Sequence, residues 1–316
     1  MTLESGISLE AAAPFVKHFR GSTFVVKLSG AVLDDAGATD AVAAQLALLD
    51  ALGIRLVLVH GGGAQADRLG ERLGVPQKRV AGRRVTDDAT LEVVSMAFSG
   101  PVRNALLGAL RRHGLSAVGL SGLDARLTSA VKRPPLAVRE AGGPPVTTDF
   151  GHVGDIAEVH PGVLRDLMEA GHVPVVTSLA GDDEGHLYNV NADTLAAALA
   201  AALGAAKLVL LTTVPGLLRD VAQPSSVISC LDLEACREMA DSGAVGGGML
   251  PKLEACRNAL LKGVDRVHLV DGLKPNALLR EIFTNEGCGT LIVRRREDAD
   301  GSGEAWIGAD VPVGAK

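Results

Sequence analysis

Residues 54–63 read IRLVLVHGGG, a short apolar run that ends in a histidine and three glycines. A brief run that is apolar on both alternating faces is typical of a strand buried on both sides of a parallel sheet. A helical segment follows the glycines, so bare backbone N–H groups and a helix N-terminus lie where an anion can approach without a Cβ in the way. We interpret Gly61, Gly62 and Gly63 as an anion-binding turn. A tight strand-to-helix turn without a ligand is the alternative.

Similar apolar runs recur along the chain. They lie at residues 23–28, 117–120, 173–176, 208–212, 266–270 and 290–293. Between the runs, helical periodicity is found at residues 39–52, 90–113, 164–170, 194–203 and 253–261. This alternation predicts an α/β protein, a three-layer αβα sandwich with a mostly parallel central sheet. Paired prolines and glycines within residues 126–153 predict a hairpin or lid outside that sheet, and residues 181–188 a polar turn.

Composition limits the classes of function. The chain has 316 residues, 47% of them hydrophobic, which is enough for two lobes with cores of their own. A net charge of −6 provides no basic face for nucleic acid. The apolar run at 195–206 is too short to cross a bilayer, and no secretory signal is seen at the N-terminus. The four cysteines form no CxxC pair, so we expect no metal site, and a cytoplasmic enzyme or binding protein.

Two lysines accompany two glycine-rich turns. Lys27 ends the first predicted strand, at the edge where open parallel sheets bind ligands. Lys252 begins a predicted helix after the glycines at 246–248, and Pro251 before it excludes a Walker A loop. In a net-acidic chain this pairing indicates phosphate binding at one site supplied by both halves. A solvated surface lysine is the alternative for each.

Polar side chains alternate at Asn189, Asn191 and Asp193, so in an extended segment all three point to one side. Asp193 is alternatively a cap of the following helix. Arg84 provides the planar fork that grips a carboxylate at two points, unless it is an ordinary surface arginine.

Six motifs together resemble the acetylglutamate kinases of the amino-acid kinase family and occur in that family's order. They are KLSG at 27–30, HGGG at 60–63, RVTD at 84–87, NVNAD at 189–193, VPG at 214–216 and GGMLPK at 247–252. The match extends from about residue 10 to residue 293. The resemblance implies the amino-acid kinase fold in two lobes. It also divides the chain into four parts. Residues 1–20 form an interlacing N-terminal helix, and residues 21–204 form an N-lobe for the acyl-amino acid and for dimerisation. Residues 205–294 form a C-lobe for the nucleotide, and residues 295–316 are a disordered tail.

The resemblance also implies a reaction. Such enzymes transfer the γ-phosphoryl group of ATP, with Mg²⁺, to the side-chain carboxylate of N-acetyl-L-glutamate in arginine biosynthesis. By similarity, Lys27 and Lys252 neutralise the transferred group, Asp193 holds both lysines and the Gly62 N–H cradles the phosphoryl group. The substrate residues implied are Gly61, Gly62, Arg84, Asn189 and Asn191, and the nucleotide residues are Lys27, Ser29, Gly30, Thr213, Gly216, Gly248, Met249 and Lys252.

Departures from the family pattern keep two alternatives open. Ser29 stands where a glycine is usual, Thr213 replaces the usual aspartate, and residues 103–104 read RN instead of the familiar NK. One alternative is a kinase for N-acetylaminoadipate or a related acylated acidic amino acid in lysine biosynthesis. The other is a catalytically silent, arginine-binding regulatory subunit. Lys27, Asp193 and Lys252 argue against the silent subunit, since three charges are costly to bring together away from water.

The N-terminal segment indicates regulation. Phe15, Val16 and Phe19 form a short apolar stripe, so we expect a helix that is stable only when docked. The segment resembles the mobile N-terminal helix of the arginine-inhibited acetylglutamate kinases, with Phe15 in place of the usual tyrosine. The stretches that contain His268, Glu286 and Gly287 are similar to the arginine site of that subgroup. The resemblance implies inhibition by L-arginine and a homo-oligomer, either a hexamer built as a trimer of dimers or a dimer.

Overall fold

The computed structural model describes residues 9–138, 144–220, 222–223, 225–242, 245 and 248–298. Most of the predicted tail at 295–316 lies outside the described residues. The same holds for residues 1–8 of the N-terminal segment and for the glycines at 142, 143, 246 and 247.

The strands of the described residues, in chain order, are β1 (Thr23–Leu28), β2 (Arg55–His60), β3 (Arg79–Val80), β4 (Arg83–Arg84), β5 (Ala117–Leu120), β6 (Thr128–Lys132), β7 (Leu136–Val138), β8 (Val146–Thr148), β9 (Gly154–Val159), β10 (Val173–Thr177), β11 (Leu179–Gly181), β12 (Leu187–Asn189), β13 (Lys207–Thr212), β14 (Cys230–Leu231), β15 (Arg266–Asp271) and β16 (Thr290–Ile292). The α-helices are α1 (Leu9–Phe19), α2 (Gly30–Asp34), α3 (Ala36–Ala51), α4 (Gly63–Leu73), α5 (Asp88–Ala97), α6 (Arg103–Arg112), α7 (Gly162–Glu169), α8 (Ala192–Leu203), α9 (Leu233–Asp241), α10 (Met249–Leu261) and α11 (Ala277–Phe283).

The central sheet has eight strands in the order β14-β16-β15-β13-β1-β2-β10-β5. Every neighbouring pair is parallel except β15 and β16. All seven strands predicted from apolar runs lie in this sheet, and the short strand β14 is added at its edge. The strands of residues 21–204 and those of residues 205–294 meet at the β1–β13 ladder, where Lys27 is the register partner of Leu210.

Two hydrophobic cores cover the two faces of the sheet. Val25 on β1 packs into a core with α8 and α10, while Phe24 and Val26 on the same strand pack into a core with α3, α6 and α11. This division follows from the alternation of side chains along a strand. The predicted three-layer αβα sandwich with a mostly parallel sheet is therefore confirmed.

The helix predicted at residues 90–113 is wrong as a single element. It consists of α5 and α6, separated by a π-helical turn at Phe98–Val102 in which Gly100 has non-helical dihedral angles (φ −105°, ψ −108°). Pro101 follows, and a proline has no N–H for the helical ladder. By length and composition alone, the run Asp88–Arg112 is suited to crossing a membrane. Its Leu106 and Leu110 are nevertheless fully buried in the core shared with α3, as in a core helix of a globular protein.

The predicted hairpin within residues 126–153 is present as the antiparallel pair β7–β8. The same region also contributes β6 to a second sheet of four strands, in the order β12-β11-β6-β9, which the sequence analysis did not foresee. The polar turn expected at 181–188 connects β11 to β12 in this second sheet.

The N-terminal segment forms the expected helix, α1, and it is docked on the body of the protein. Phe19 is buried, and its ring packs edge-on against Phe24 of β1 with the ring centroids 5.3 Å apart. Ala12 is also buried in the core shared with α11. The interlacing role of residues 1–20 between subunits stays a prediction.

Candidate active site

Three charged side chains from three separate elements meet at the carboxyl edge of the central sheet. Lys27 near the end of β1 places its Nζ 2.6 Å from Oδ1 of Asp193, in the first turn of α8. Lys252, in the first turn of α10, places its Nζ 2.8 Å from Oδ2 of the same carboxylate. The side chains of Lys27 and Asp193 are buried, and that of Lys252 is 20% exposed. The structure thus joins both halves of the chain through one carboxylate.

The charges of this cluster do not cancel. Burial disfavours ionisation of Asp193, but the two lysines outweigh burial and hold its pKa below the usual value. Burial, followed by the nearby positive charge of Lys252, lowers the pKa of Lys27, while Asp193 opposes that change. Two ammonium groups and one carboxylate leave a net positive charge of one in a largely buried site. Such a cluster favours an anion carrying several negative charges.

Asn191, and not Asp193, caps α8. The Asn191 side chain accepts hydrogen bonds from the N–H groups of Asp193 (2.8 Å) and Thr194 (3.0 Å). The alternative interpretation of Asp193 as the cap is therefore wrong, and its carboxylate is left for the lysines. The extended segment assumed for the three alternating residues also ends early, because β12 ends at Asn189. All three nevertheless line the same cavity.

The turn at Gly30, after β1, lies against the turn at Gly62, after β2. A Cβ at Gly30 would lie 3.2 Å from the Cα of Gly62 and 3.0 Å from Oε1 of Gln65, so a larger residue at position 30 would push the two turns apart by a few tenths of an ångström. Gln65 fastens the contact by donating from Nε2 to the carbonyl of Gly30 at 2.7 Å. Ser29 caps the short helix α2 through its hydroxyl, which accepts from the Val32 N–H. Gly62 is the N-cap of α4, where the first N–H groups have no acceptor within the helix.

A cavity of about 480 Å³ opens beside the charged cluster. Six of the residues predicted from sequence line it: Arg84, Asn189, Asn191, Asp193, Gly248 and Lys252. Other lining residues were not predicted from the sequence, among them Arg79, Arg83, Arg133 and Phe150. Arg133 and Phe150 lie in the region interpreted only as a hairpin or lid. The proline and glycine pairs there signalled a departure from the main sheet but not the return of that region over the site.

Arg84 is less free than the sequence analysis assumed. Its Nη2 donates to the carbonyl of Gly63 at 2.8 Å and pairs with Oδ1 of Asp67 at 2.8 Å, while Nη1 donates to Gln77. A guanidinium has five N–H donors, so Nε–H and one N–H of Nη1 remain. These two do not lie side by side, because each two-point face of a guanidinium includes an N–H of Nη2. A ligand carboxylate therefore gains a two-point grip only by displacing Asp67 or the Gly63 carbonyl from Nη2.

Six residues predicted to bind the nucleotide are not among the described residues that line this cavity: Lys27, Ser29, Gly30, Thr213, Gly216 and Met249. The same is true of Gly61 and Gly62, which were predicted to bind the acyl-amino acid. Thr213 is exposed just beyond β13. Gly216 has a packing reason of its own, because its φ is +149° and a Cβ would lie 2.5 Å from Oγ1 of Thr290. The same Thr290 hydroxyl accepts from the Leu217 N–H at 2.9 Å.

A second cavity, of about 450 Å³, lies between α1 and the C-terminal strands. All four residues assigned to regulation line it: Phe15, His268, Glu286 and Gly287. Gly287 has a φ of +59°, and a Cβ there would lie 2.7 Å from Oε2 of Glu281. A glycine is therefore required at this position on both counts.

Three charged residues of the second cavity were not predicted from the sequence: Lys207, Arg266 and Glu281. Lys207 Nζ lies 3.0 Å from Nε2 of His268, whose Nδ1 lies 2.8 Å from Oε1 of Glu281, and all three side chains are buried. Burial, with Arg266 nearby, lowers the pKa of Lys207 to about 7. Burial, with Lys207 adjacent, lowers the pKa of His268 to about 4. A charged residue inside the apolar sequence ALLREIF of α11 was the available signal for Glu281.

Comparison with known proteins identifies the relatives of this chain. The model of the amino acid kinase family matches residues 22–271. An acetylglutamate kinase of Myxococcus xanthus is 49% identical over 288 residues, which cover 91% of this chain and 94% of that protein. An acetylglutamate kinase of Heliobacterium modesticaldum is 42% identical over 291 residues, which cover 92% of this chain and 98% of that protein.

A solved structure gives a second line of comparison. The N-acetylglutamate synthase of Neisseria gonorrhoeae, in complex with coenzyme A and N-acetylglutamate, superposes with a TM-score of 0.77 at 30% identity over 90% of this chain. The same synthase has been solved with coenzyme A and L-arginine, and that structure superposes with a TM-score of 0.74 at 27% identity, again over 90% of this chain. The chain spans only 62% and 64% of the synthase chains in these two structures.

The chain belongs to the amino acid kinase family, and the expected fold is confirmed. Within the family it groups with the acetylglutamate kinases: it uses ATP to phosphorylate the side-chain carboxylate of N-acetyl-L-glutamate, a step of arginine biosynthesis. This confirms the reaction inferred from the six motifs and favours it over the acetylaminoadipate kinase and the silent subunit.

Two buried histidines predict how stability depends on pH. Burial lowers the pKa of His60 and of His268 from 6.5 to about 4. As the pH falls from 6.5 towards 4, the unfolded chain takes up protons that the folded chain refuses, so the free energy of unfolding decreases. Each histidine contributes at most about 1.4 kcal/mol per pH unit. We expect His268→Gln to make this decrease shallower, measured by urea unfolding at several pH values. His160→Gln, at an exposed position, is the control, and an unchanged slope in His268→Gln would contradict the assignment.

Proposed function

We propose that the Lys27–Asp193–Lys252 cluster is where the γ-phosphoryl group passes from ATP to N-acetyl-L-glutamate. The observation that carries this proposal is the net positive, largely buried cluster in which one carboxylate joins both lysines. The acceptor carboxylate is already ionised at neutral pH, so the reaction requires no general base. The enzyme has to align the two substrates and neutralise the charge of the transferred group.

Each residue then has a role that follows from its place. Lys27 and Lys252 contact the transferred group, and Asp193 keeps both ammonium groups oriented towards it. The Gly62 N–H, at the free N-terminus of α4, donates to a phosphoryl oxygen. Arg84, with Gly61, Asn189 and Asn191, holds the acyl-amino acid; for Arg84 a two-point grip requires Asp67 or the Gly63 carbonyl to give up its contact with Nη2.

We assign the nucleotide to the C-terminal half, residues 205–294. The residues that contact it are Lys27, Ser29, Gly30, Thr213, Gly216, Gly248, Met249 and Lys252, and the half formed by residues 21–204 binds the acyl-amino acid and forms the dimer contact. We treat Mg²⁺ as part of the MgATP substrate, because Asp193 is already paired with two lysines. We locate the reaction in the cytoplasm, where unpaired thiols such as Cys236 and Cys256 stay reduced.

The second cavity suits L-arginine as an inhibitor. Glu281 and Glu286 provide carboxylates for a guanidinium and an α-amino group, while Lys207 and Arg266 provide cations for the α-carboxylate. Phe15 of α1 forms part of the wall, so a ligand there changes how α1 rests on the body. The Neisseria synthase was solved with L-arginine, which supports this ligand class for a related fold. We propose that α1 also links dimers into a hexamer.

Removing the second lysine tests the catalytic proposal. We expect Lys252→Ala to lower kcat by about 10² or more, since one preorganised charge donor is lost. Stability should change little, because Asp193 remains paired with Lys27 when Lys252 is removed. The rate of acyl phosphate formation, trapped with hydroxylamine, measures the effect with N-acetylglutamate, N-acetylaminoadipate and glutamate as acceptors. Lys262→Ala, at the exposed end of α10, is the matched control. A kcat near wild type in Lys252→Ala would remove this lysine from the site.

Arg84→Lys tests the carboxylate clamp. The substitution keeps the charge but loses the planar fork, so KM for N-acetylglutamate should rise about tenfold or more while KM for ATP changes much less. Steady-state kinetics with each substrate varied in turn give both constants. Arg72→Lys, on the exposed side of α4, should behave as wild type. Equal rises in the two KM values would contradict the assignment.

Deleting residues 1–20 tests the regulatory proposal. We expect the truncated protein to lose both inhibition by L-arginine and the hexamer, because it lacks α1 and with it the wall of the second cavity. Phe15→Ala, which leaves the buried Phe19 in place, should weaken arginine inhibition without removing the helix. An arginine titration of the kinase activity and light scattering measure the two effects. A full-length enzyme that is dimeric and indifferent to arginine would overturn the proposal and leave the kinase reaction intact.

A further inference from the structure

His60 is a buried residue that the phosphoryl-transfer scheme does not use. It is the last residue of β2, directly before the glycine turn, and its side chain is fully buried. Its Nδ1 lies 2.8 Å from the carbonyl oxygen of Gly61. Its Nε2 is buried and has no hydrogen-bond partner among the described residues.

These contacts decide which ring nitrogen carries the proton. A carbonyl oxygen only accepts hydrogen bonds, so Nδ1 of His60 must be the donor. Burial holds the pKa of the imidazole at about 4, so the ring is neutral at physiological pH and carries one proton. That proton is on Nδ1, which leaves Nε2 as a bare acceptor. The opposite tautomer would set the Nδ1 lone pair against the carbonyl oxygen.

The bond fixes the direction of one peptide group. The Gly61 carbonyl belongs to the peptide between Gly61 and Gly62, and the described chain contains no cis peptide bond. In a planar trans peptide the N–H points opposite to the C=O. When His60 holds the carbonyl, the N–H of Gly62 therefore points away from the imidazole. Two adjacent glycines have few steric barriers of their own against rotation of this peptide.

The imidazole reaches the turn from behind the site. Along β2 the side chains alternate, so His60 lies on the face of Leu58, which packs into the core with α3 and α6. Val59 packs into the opposite core, which contains α8, the helix that carries Asp193. His60 and the charged cluster are thus on opposite faces of one sheet, and His60 has no route to a substrate.

We propose that His60 is a positioning residue, which holds the Gly61–Gly62 peptide in the orientation that presents the Gly62 N–H to the transferred phosphoryl group. This inference rests on the proposed role of the Gly62 N–H. His60 acts through that peptide and does not touch the reacting atoms. An N–H that is held in place before the substrate arrives needs no reorganisation during the reaction, and this is the condition under which such donors stabilise a transition state.

Three substitutions separate positioning from mere space-filling. His60→Asn keeps an N–H donor at the place of Nδ1, His60→Gln moves the amide out to the place of Nε2, and His60→Leu removes all polarity. We expect Gln and Leu to lower kcat about tenfold or more with both KM values within about twofold, and Asn to retain most of the wild-type kcat. Thr177→Val is the matched control. Thr177 is the fully buried register partner of His60 on β10, and its hydroxyl has no partner among the described side chains.

The tautomer is measured independently on the intact wild-type protein. Nitrogen-15 NMR of labelled histidine should show two buried imidazoles, His60 and His268, that are protonated at Nδ1, unprotonated at Nε2 and do not titrate between pH 5.5 and 9. The His60 signal is the one that disappears in the best-folded His60 variant. A proton on Nε2 would overturn the inference. So would a His60→Leu enzyme of wild-type kcat, or an Asn variant as slow as the Gln variant. A Lys252→Ala variant with the kcat of the wild-type enzyme would instead contradict the proposed site itself.

Discussion

The carboxylate of Asp193, held between two ammonium groups, is the interaction on which the architecture of the site depends. Lys27 comes from β1, Lys252 from α10 and Asp193 from α8, so the cluster forms only when both halves of the chain have folded on one sheet. The loss of one partner from a buried ion pair leaves an uncompensated charge, which costs about 3–5 kcal/mol. The Asn191 cap fixes the backbone from which Asp193 projects, and the β1–β13 ladder fixes that of Lys27.

The two cavities lie towards opposite ends of the same strands. Lys207 begins β13 and faces the second cavity, and its register partner on β1 is Phe24, on which Phe19 of α1 packs. Lys27 is three residues further along β1, about 10 Å at the rise of a strand. A ligand in the second cavity therefore has no direct contact with the reacting groups. Any influence of such a ligand on the reaction passes through α1 and through the relative position of the strands and helices of the two halves. This coupling is reciprocal: a ligand in the second cavity that changes the affinity for a substrate has its own affinity changed by the same factor when that substrate binds.

The glycines of this chain serve different purposes that look alike in sequence. Gly216 and Gly287 have positive φ values and stand where a Cβ would collide with Thr290 and Glu281. Gly30 allows two turns to approach each other closely. A Cβ at Gly62 would lie 3.1 Å from Phe98 and Val102, and Gly62 is also the N-cap of α4, where N–H groups have no acceptor within the helix. Only the surroundings of each glycine distinguish a packing requirement from a ligand contact.

The amino-acid sequence by itself determined the central sheet and six of the residues that line the first cavity. Seven apolar runs predicted seven strands of the central sheet, because burial on both faces leaves a local pattern in the sequence. Motif order also indicated that Lys27, Asp193 and Lys252 belong together. Tertiary structure alone decided four other features: the break at Gly100, the second sheet that brings Arg133 over the cavity, the partners of Arg84, and the burial of Lys207 and Glu281. Each of these depends on contacts between residues far apart in the chain, and no local pattern of hydrophobicity or charge records which distant side chain a buried polar group will meet.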